Sequence, residues 1–210
     1  TDTVMIGEIR YAEAALATIE VALSGNAVWA TIHAADALGI IQRLDVQLRS
    51  RVADPLNIVC DPIVLSGLVF QRLVPKLCPY CKIRLKDRPD AIAPDLLDRL
   101  RNSMPEDCLD EVCIRGSGCE HCMESGHPGL HRQTVVAEVI AVDRQLLALL
   151  RQRQHEEAKK YWLSELGGMT YLEHARHLIM SGVLDPAITE EMLAMPINAD
   201  VESGKRGQHA

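Results

Sequence analysis

The chain is predicted to be α/β, and three observations predict it. Residues 4–9 and 27–32 are short apolar runs, and between them lies an alanine-rich stretch whose apolar side chains recur every three or four positions. Strands buried in a parallel sheet read as continuous apolar runs, and a helix joining two of them makes a βαβ unit with a right-handed crossover. Aromatic residues are only 3% of the 210-residue chain although 48% is hydrophobic, so the core must be aliphatic and alanine-rich, as in helix-rich proteins. From Asp143 onward the apolar residues keep a helical period.

Each element has its own signal. After the first strand, Ala12, Ala15, Leu16, Ile19, Ala22 and Leu23 mark one face of a helix that Gly25 ends as a left-handed cap. Asp36 can cap a helix carrying Ile40, Ile41, Leu44 and Leu48. Asp61-Pro62 is a cap followed by proline at the first helical position, which predicts a helix through Leu65, Leu68, Val69 and Leu73, stopped by Pro75. Residues 78–122 differ in character, with paired cysteines at both ends, prolines between them and a short helix over 94–102. Residues 134–142 alternate loosely, as a strand does. Helices are then expected over 143–155, 156–166, 170–181 and 186–195. The third of these opens on the capping box Thr170-x-x-Glu173 and ends at Gly182. Residues 197–210 are expected to be disordered. There is no internal repeat.

The formal net charge of -7 argues against a nucleic-acid surface, which needs clustered Lys and Arg to displace counterions. No apolar run reaches the 18 residues of a membrane span, and no basic segment followed by an apolar stretch opens the chain. No transmembrane helix and no signal peptide are therefore expected. Beginning at Thr1, the chain is read as cut from something longer.

Seven cysteines cannot all pair within one chain. Cys78, Cys81, Cys119 and Cys122 form two Cys-x-x-Cys pairs, each presenting two thiolates on a tight turn, and together they make the tetrahedral shell zinc prefers. With every position filled by protein, such a metal is structural. Paired redox dithiols or unligated thiols are the other readings. Cys60, Cys108 and Cys113 are read as free, with ligand exchange by Cys113 left open.

Glu8 and His33 end the two apolar runs and should sit side by side at the carboxyl rim of a parallel sheet, where such folds bind ligands. That pair suits hydrolysis of a phosphoanhydride, with a carboxylate orienting water or Mg²⁺ and a second polar group sensing the γ-phosphate. The plain alternatives are a helix-start acid for Glu8, a buried and satisfied histidine for His33, and a surface ion pair for Arg10.

Gly7-Glu8-Ile9-Arg10 with Glu13 and Ala14, then Ala30-Thr31-Ile32-His33, and Gln71-Arg72-Leu73-Val74 leading into Leu77-Cys78-Pro79-Tyr80-Cys81, resemble the secretion ATPases of type II secretion and type IV pilus systems. The resemblance runs from Val4 to about Met195. It implies a partial RecA-like P-loop NTPase core (the Walker B and His-box half) with a tetracysteine zinc insertion and a C-terminal helical cluster. Divided so, residues 1–76 are the core half, 77–133 the zinc-binding insertion, 134–196 the helical subdomain and 197–210 the tail. The resemblance also makes Glu8 the catalytic Walker B glutamate, His33 a γ-phosphate or interface sensor, and Arg10 the arginine of the same block. Arg72 is left between a neighbouring subunit and an acid on its own helix. ATP and Mg²⁺ are implied for a longer parent protein, a homo-hexamer at the cytoplasmic face of the bacterial inner membrane that meets a membrane platform protein and no nucleic acid.

Three positions depart from the family pattern. Tyr11 replaces an Asp, Ala35 and Asp36 replace the usual residues after the histidine, and Gly126-His127-Pro128-Gly129 keeps only part of a Gly-Tyr-x-Gly-Arg segment, with Arg132 displaced. The P-loop pattern Gly-x-x-x-x-Gly-Lys-[Ser/Thr] does not occur. The one Gly-Lys, Gly204-Lys205, lies in a polar tail. A non-catalytic, zinc-stabilised interaction module is therefore the competing reading for these residues.

Overall fold

The computed structural model describes residues 3–123 and 126–201; Gly204-Lys205 and most of the tail expected to be disordered lie outside them. The chain opens with β1 (Thr3–Glu8), α1 (Ala12–Leu23) and β2 (Ala27–Thr31), and the two strands pair in parallel. This is the expected βαβ unit. Ala12, Ala15, Ile19 and Ala22 form the buried stripe of α1, and Gly25 closes it at φ 87°, a conformation that costs an L side chain dearly. The strands are less buried than continuous apolar runs suggest. Met5 and its cross-strand partner Trp29 stand exposed; among the described residues this sheet has two strands, and α1 packs against β2.

Asp36 accepts a hydrogen bond from the Gly39 amide at 2.6 Å and so opens α2 (Gly39–Leu48), which buries Ile41 and Leu48. A short α3 (Pro55–Val59) follows, with proline in its first turn.

The helix expected beyond Asp61 is a single turn: Val64 and Leu65 donate to the Asp61 carbonyl, both at 2.9 Å, and the chain then extends into β3 (Gly67–Leu77). Leu68 and Leu65 satisfy a helical period, but Leu68, Phe70 and Val74 are buried on one face of a strand, with Leu77 buried at its end. Pro75 is tolerated because, among the described residues, β3 pairs on one side only, with β6 (Leu130–Ala141), leaving an edge where no N–H is required. Gln71-Arg72-Leu73 therefore sits on a strand.

Between those strands lie β4 (Ile83–Arg84), α4 (Pro94–Ser103), β5 (Cys113–Ile114) and α5 (Glu120–Met123), with β4 and β5 antiparallel. After β6 come α6 (Arg144–Arg151), α7 (His155–Ser164), α8 (Tyr171–Met180) and α9 (Pro186–Leu193). Side-chain caps set the starts of α6, α8 and α9: the side chains of Asp143, Thr170 and Asp185 accept from the amides of Leu146, Glu173 and Ile188.

The chain divides into two compact units, residues 1–70 with 138–169 and residues 71–137 with 170–210. This differs from a division at 76, 133 and 196. In the second unit Leu172, Ala175, Ile179 and Leu184 pack with Leu96, Leu100, Val112 and Ile114, so α8 and α9 share a core with the cysteine-bearing segment, while α6 and α7 belong to the first unit. Ile197 is buried in that core, and Asp200 receives Arg176 at 2.6 and 3.0 Å, so residues 197–201 are packed and not disordered.

Candidate active site and metal centre

The end of β1 is shaped by a bulge. Register runs from Ile6 opposite Ala30 to Glu8 opposite Thr31, with Gly7 as the inserted residue. The Thr31 hydroxyl donates to the Gly7 carbonyl, and the Ile9 amide donates to the Thr31 carbonyl at 2.8 Å, which fixes the turn. Glu8 then leaves the strand beside the residues that follow β2. Its Oε1 lies 3.3 Å from His33 Nε2, and its Oε2 accepts from Arg10 Nε at 2.8 Å and stands 2.6 Å from Arg10 Nη2.

The three residues singled out from sequence thus form one group within the first unit. Glu8 is the most shielded of them, whereas the His33 side chain is 88% exposed. The Arg10 hydrogen bond, together with the positive charge beside it, holds the Glu8 carboxyl below its usual range, and Glu8 raises the Arg10 guanidinium in return. A carboxylate held ionised in this way is a good acceptor for water or a hard cation and a poor store for a proton. Arg72, on β3, belongs to the second unit.

One residue of this region escaped the sequence reading. Glu138, on β6, is buried, and its Oε2 accepts from the Ala37 amide at 2.8 Å. The signal was available: within the strand expected over 134–142, Val136, Glu138 and Ile140 share a face, and an acid among inward-pointing aliphatics needs a reason.

The second cluster is the cysteine tetrad. Cys78 leaves the end of β3 and Cys81 follows one turn later; Cys119 and Cys122 flank the first turn of α5. The four Sγ atoms lie within 4.8 Å of one another, with separations of 3.7 Å for Cys78–Cys119 and 3.8 Å for both Cys81–Cys122 and Cys119–Cys122. A tetrahedron with Zn–S bonds of about 2.3 Å has edges of about 3.8 Å, so the donor set fits zinc.

The surroundings favour a thiolate at Cys122 and disfavour one at Cys81. The Cys119 and Gly129 amides each donate to Cys122 Sγ at 3.1 Å, which lowers that thiol to about 7, whereas burial and the neighbouring sulfurs push Cys81 up to about 12. Gly129, at φ 76°, also gives its carbonyl to the Cys78 amide at 2.9 Å, tying both knuckles together. Gly116 passes so close that a Cβ there would stand 1.8 Å from the Cys81 carbonyl oxygen. Cys113 instead points its thiol at the Glu111 carbonyl, Cys108 is outside the cluster, and burial raises Cys60 to about 11, which makes it inert.

The chain shares its α/β fold with solved RecA-like structures, and its second unit carries a cluster of four cysteines. Its solved neighbours are the Legionella pneumophila ATPase DotB (TM-score 0.56, 16% identity, covering 92% of this chain and 38% of that one) and the pilus retraction motor PilT with bound ADP (TM-score 0.58, 15% identity, 95% and 42%). The chain belongs to the type II/IV secretion system protein family, whose model matches residues 1–194. It is 33% identical over 198 residues to the type IV pilus assembly ATPase PilB of Thermus thermophilus, covering 93% of this chain and 20% of that protein. It is 31% identical over 159 residues to the type II secretion system ATPase E of Vibrio cholerae, covering 75% and 28%. The chain therefore spans between a fifth and a third of these curated relatives. Among the described residues no helix is long and apolar enough to cross a membrane.

Proposed function

We propose that this chain is the water-activating part of a motor ATPase that powers pilus assembly or type II secretion. The observation that carries the reading is the contact of Glu8 with His33 and Arg10 at the carboxyl end of the β1–β2 pair. In this role Glu8 orients the water that attacks the γ-phosphorus and shares in holding Mg²⁺. His33 reads the presence of the phosphate, and Arg10 holds Glu8 ionised until the nucleotide arrives. The phosphate cradle comes from outside these residues, since no P-loop pattern occurs in them. The assembled motor is a homo-hexamer, cytoplasmic and peripheral to the inner membrane, docked on a platform protein. Cys78, Cys81, Cys119 and Cys122 hold a structural zinc, with no coordination position left for chemistry.

The test is Glu8→Gln in the full-length protein. ATP turnover should fall roughly 10²- to 10⁴-fold while ATP binding is retained, the size of effect expected for a group that positions or deprotonates the nucleophile. Unchanged turnover would refute the assignment. The competing reading, a zinc-stabilised interaction module without catalysis, would gain if full-length protein also fails to hydrolyse ATP.

A further inference from the structure

His33 has a geometric problem that its neighbours must solve. Its imidazole is 88% exposed, so packing does not aim it, and its distance to Glu8 depends on where its backbone lies. On the upstream side the β1–β2 ladder fixes that backbone as far as Thr31. Downstream, residues 32–38 are neither strand nor helix before α2 begins. Two carboxylates bind that stretch. Asp36 takes the Gly39 amide and starts α2, while Glu138, 101 residues away in sequence, takes the Ala37 amide at 2.8 Å. Ala37 is fully buried and Glu138 is 5% exposed, so the bond is made away from water, where a charged acceptor is strong and an unmet amide costly. The acid is thus a strut from β6 to the turn that carries the histidine.

We propose that Glu138 is a positioning residue for His33: its buried carboxylate pins the turn after β2 so that the imidazole is presented to Glu8. This rests on the role proposed for His33, but the holding of the turn can be measured without activity. Glu138→Ala and Glu138→Leu both remove the acceptor, the second keeping buried bulk in case the first fails to fold. Glu138→Gln retains an acceptor oxygen.

In the full-length protein, hydrogen exchange followed by mass spectrometry should show faster exchange across residues 32–39 in the Ala or Leu variant. Exchange in α1 and around the cysteine tetrad should be as in wild type, and Gln should restore residues 32–39. ATP turnover should drop roughly 10- to 100-fold with KM for ATP unchanged, the cost of misplacing one active-site group. In a His33→Ala background the Glu138 substitution should add nothing, because both act through the same group.

Unaltered exchange at 32–39 overturns the proposal, and so do losses that multiply in the double variant. If His33→Ala leaves turnover intact, the role proposed for the histidine fails, and exchange alone then decides whether Glu138 holds the turn.

Discussion

Glu8 shows how a single exposed pair can set a chemical role. The Arg10 hydrogen bond and charge lower the Glu8 carboxyl, so the pair favours the carboxylate as an acceptor. Asp200 is a half-buried counterpart. Burial alone would raise its carboxyl, but the Arg176 guanidinium and the Thr170 hydroxyl more than offset this and leave it below the usual value. A carboxyl whose pKa is depressed by folding stabilises the native state above its unfolded value of about 3.9, and that contribution is lost as pH falls through the folded value. Stability against urea should therefore decline below about pH 4 in wild type and decline less in Asp200→Asn. Arg176→Ala at neutral pH should cost about 3 kcal/mol, since it strands a shielded carboxylate. An equal acid response in wild type and Asp200→Asn would contradict this account.

At the scale of elements, the segment between β3 and β6 is the one the proposed zinc would hold. Apart from α4, its regular structure is short: β4 and β5 are two residues long and α5 is four. The knuckles meet through the four sulfurs, the Gly129 backbone and the stacked rings of Tyr80 and His121. Metal analysis should find about one zinc per chain, and Cys122→Ser should bring it to about zero. The same variant should lose exchange protection over residues 77–133 and keep it over β1, α1 and β2. Retained protection without zinc would show that the Leu96–Leu100–Ile114 core suffices. The β3 segment carries a different lesson. Its apolar spacing was compatible with both periods, and the proline that argued for a helix stop is accommodated on an edge strand. Only the pairing with β6 distinguishes the two, and that partner lies some sixty residues away in sequence.

For the chain as a whole, the proposed function makes one demand: the P-loop pattern does not occur in these residues, so a nucleotide would have to be held by others. The isolated chain should then show no ATP turnover above background. Turnover by the isolated chain would mean that nucleotide binds in some other way.

Much of the candidate site was legible beforehand. Glu8 and His33 end consecutive apolar runs joined by one helix, and parallel pairing then makes them neighbours. Four cysteines at two-residue spacing define a tetrahedral donor set wherever the chain between them goes. Capping residues such as Asp36 and Thr170 act over three positions, so their effect is written locally. Folding settled what those patterns leave free. It joined Glu138 to Ala37 and Asp200 to Arg176, made a strand of residues 67–77, and assigned α6 and α7 to one core and α8 and α9 to another. These outcomes turn on which distant surfaces exclude water together, and a periodicity of two or three and a half residues carries no information about that.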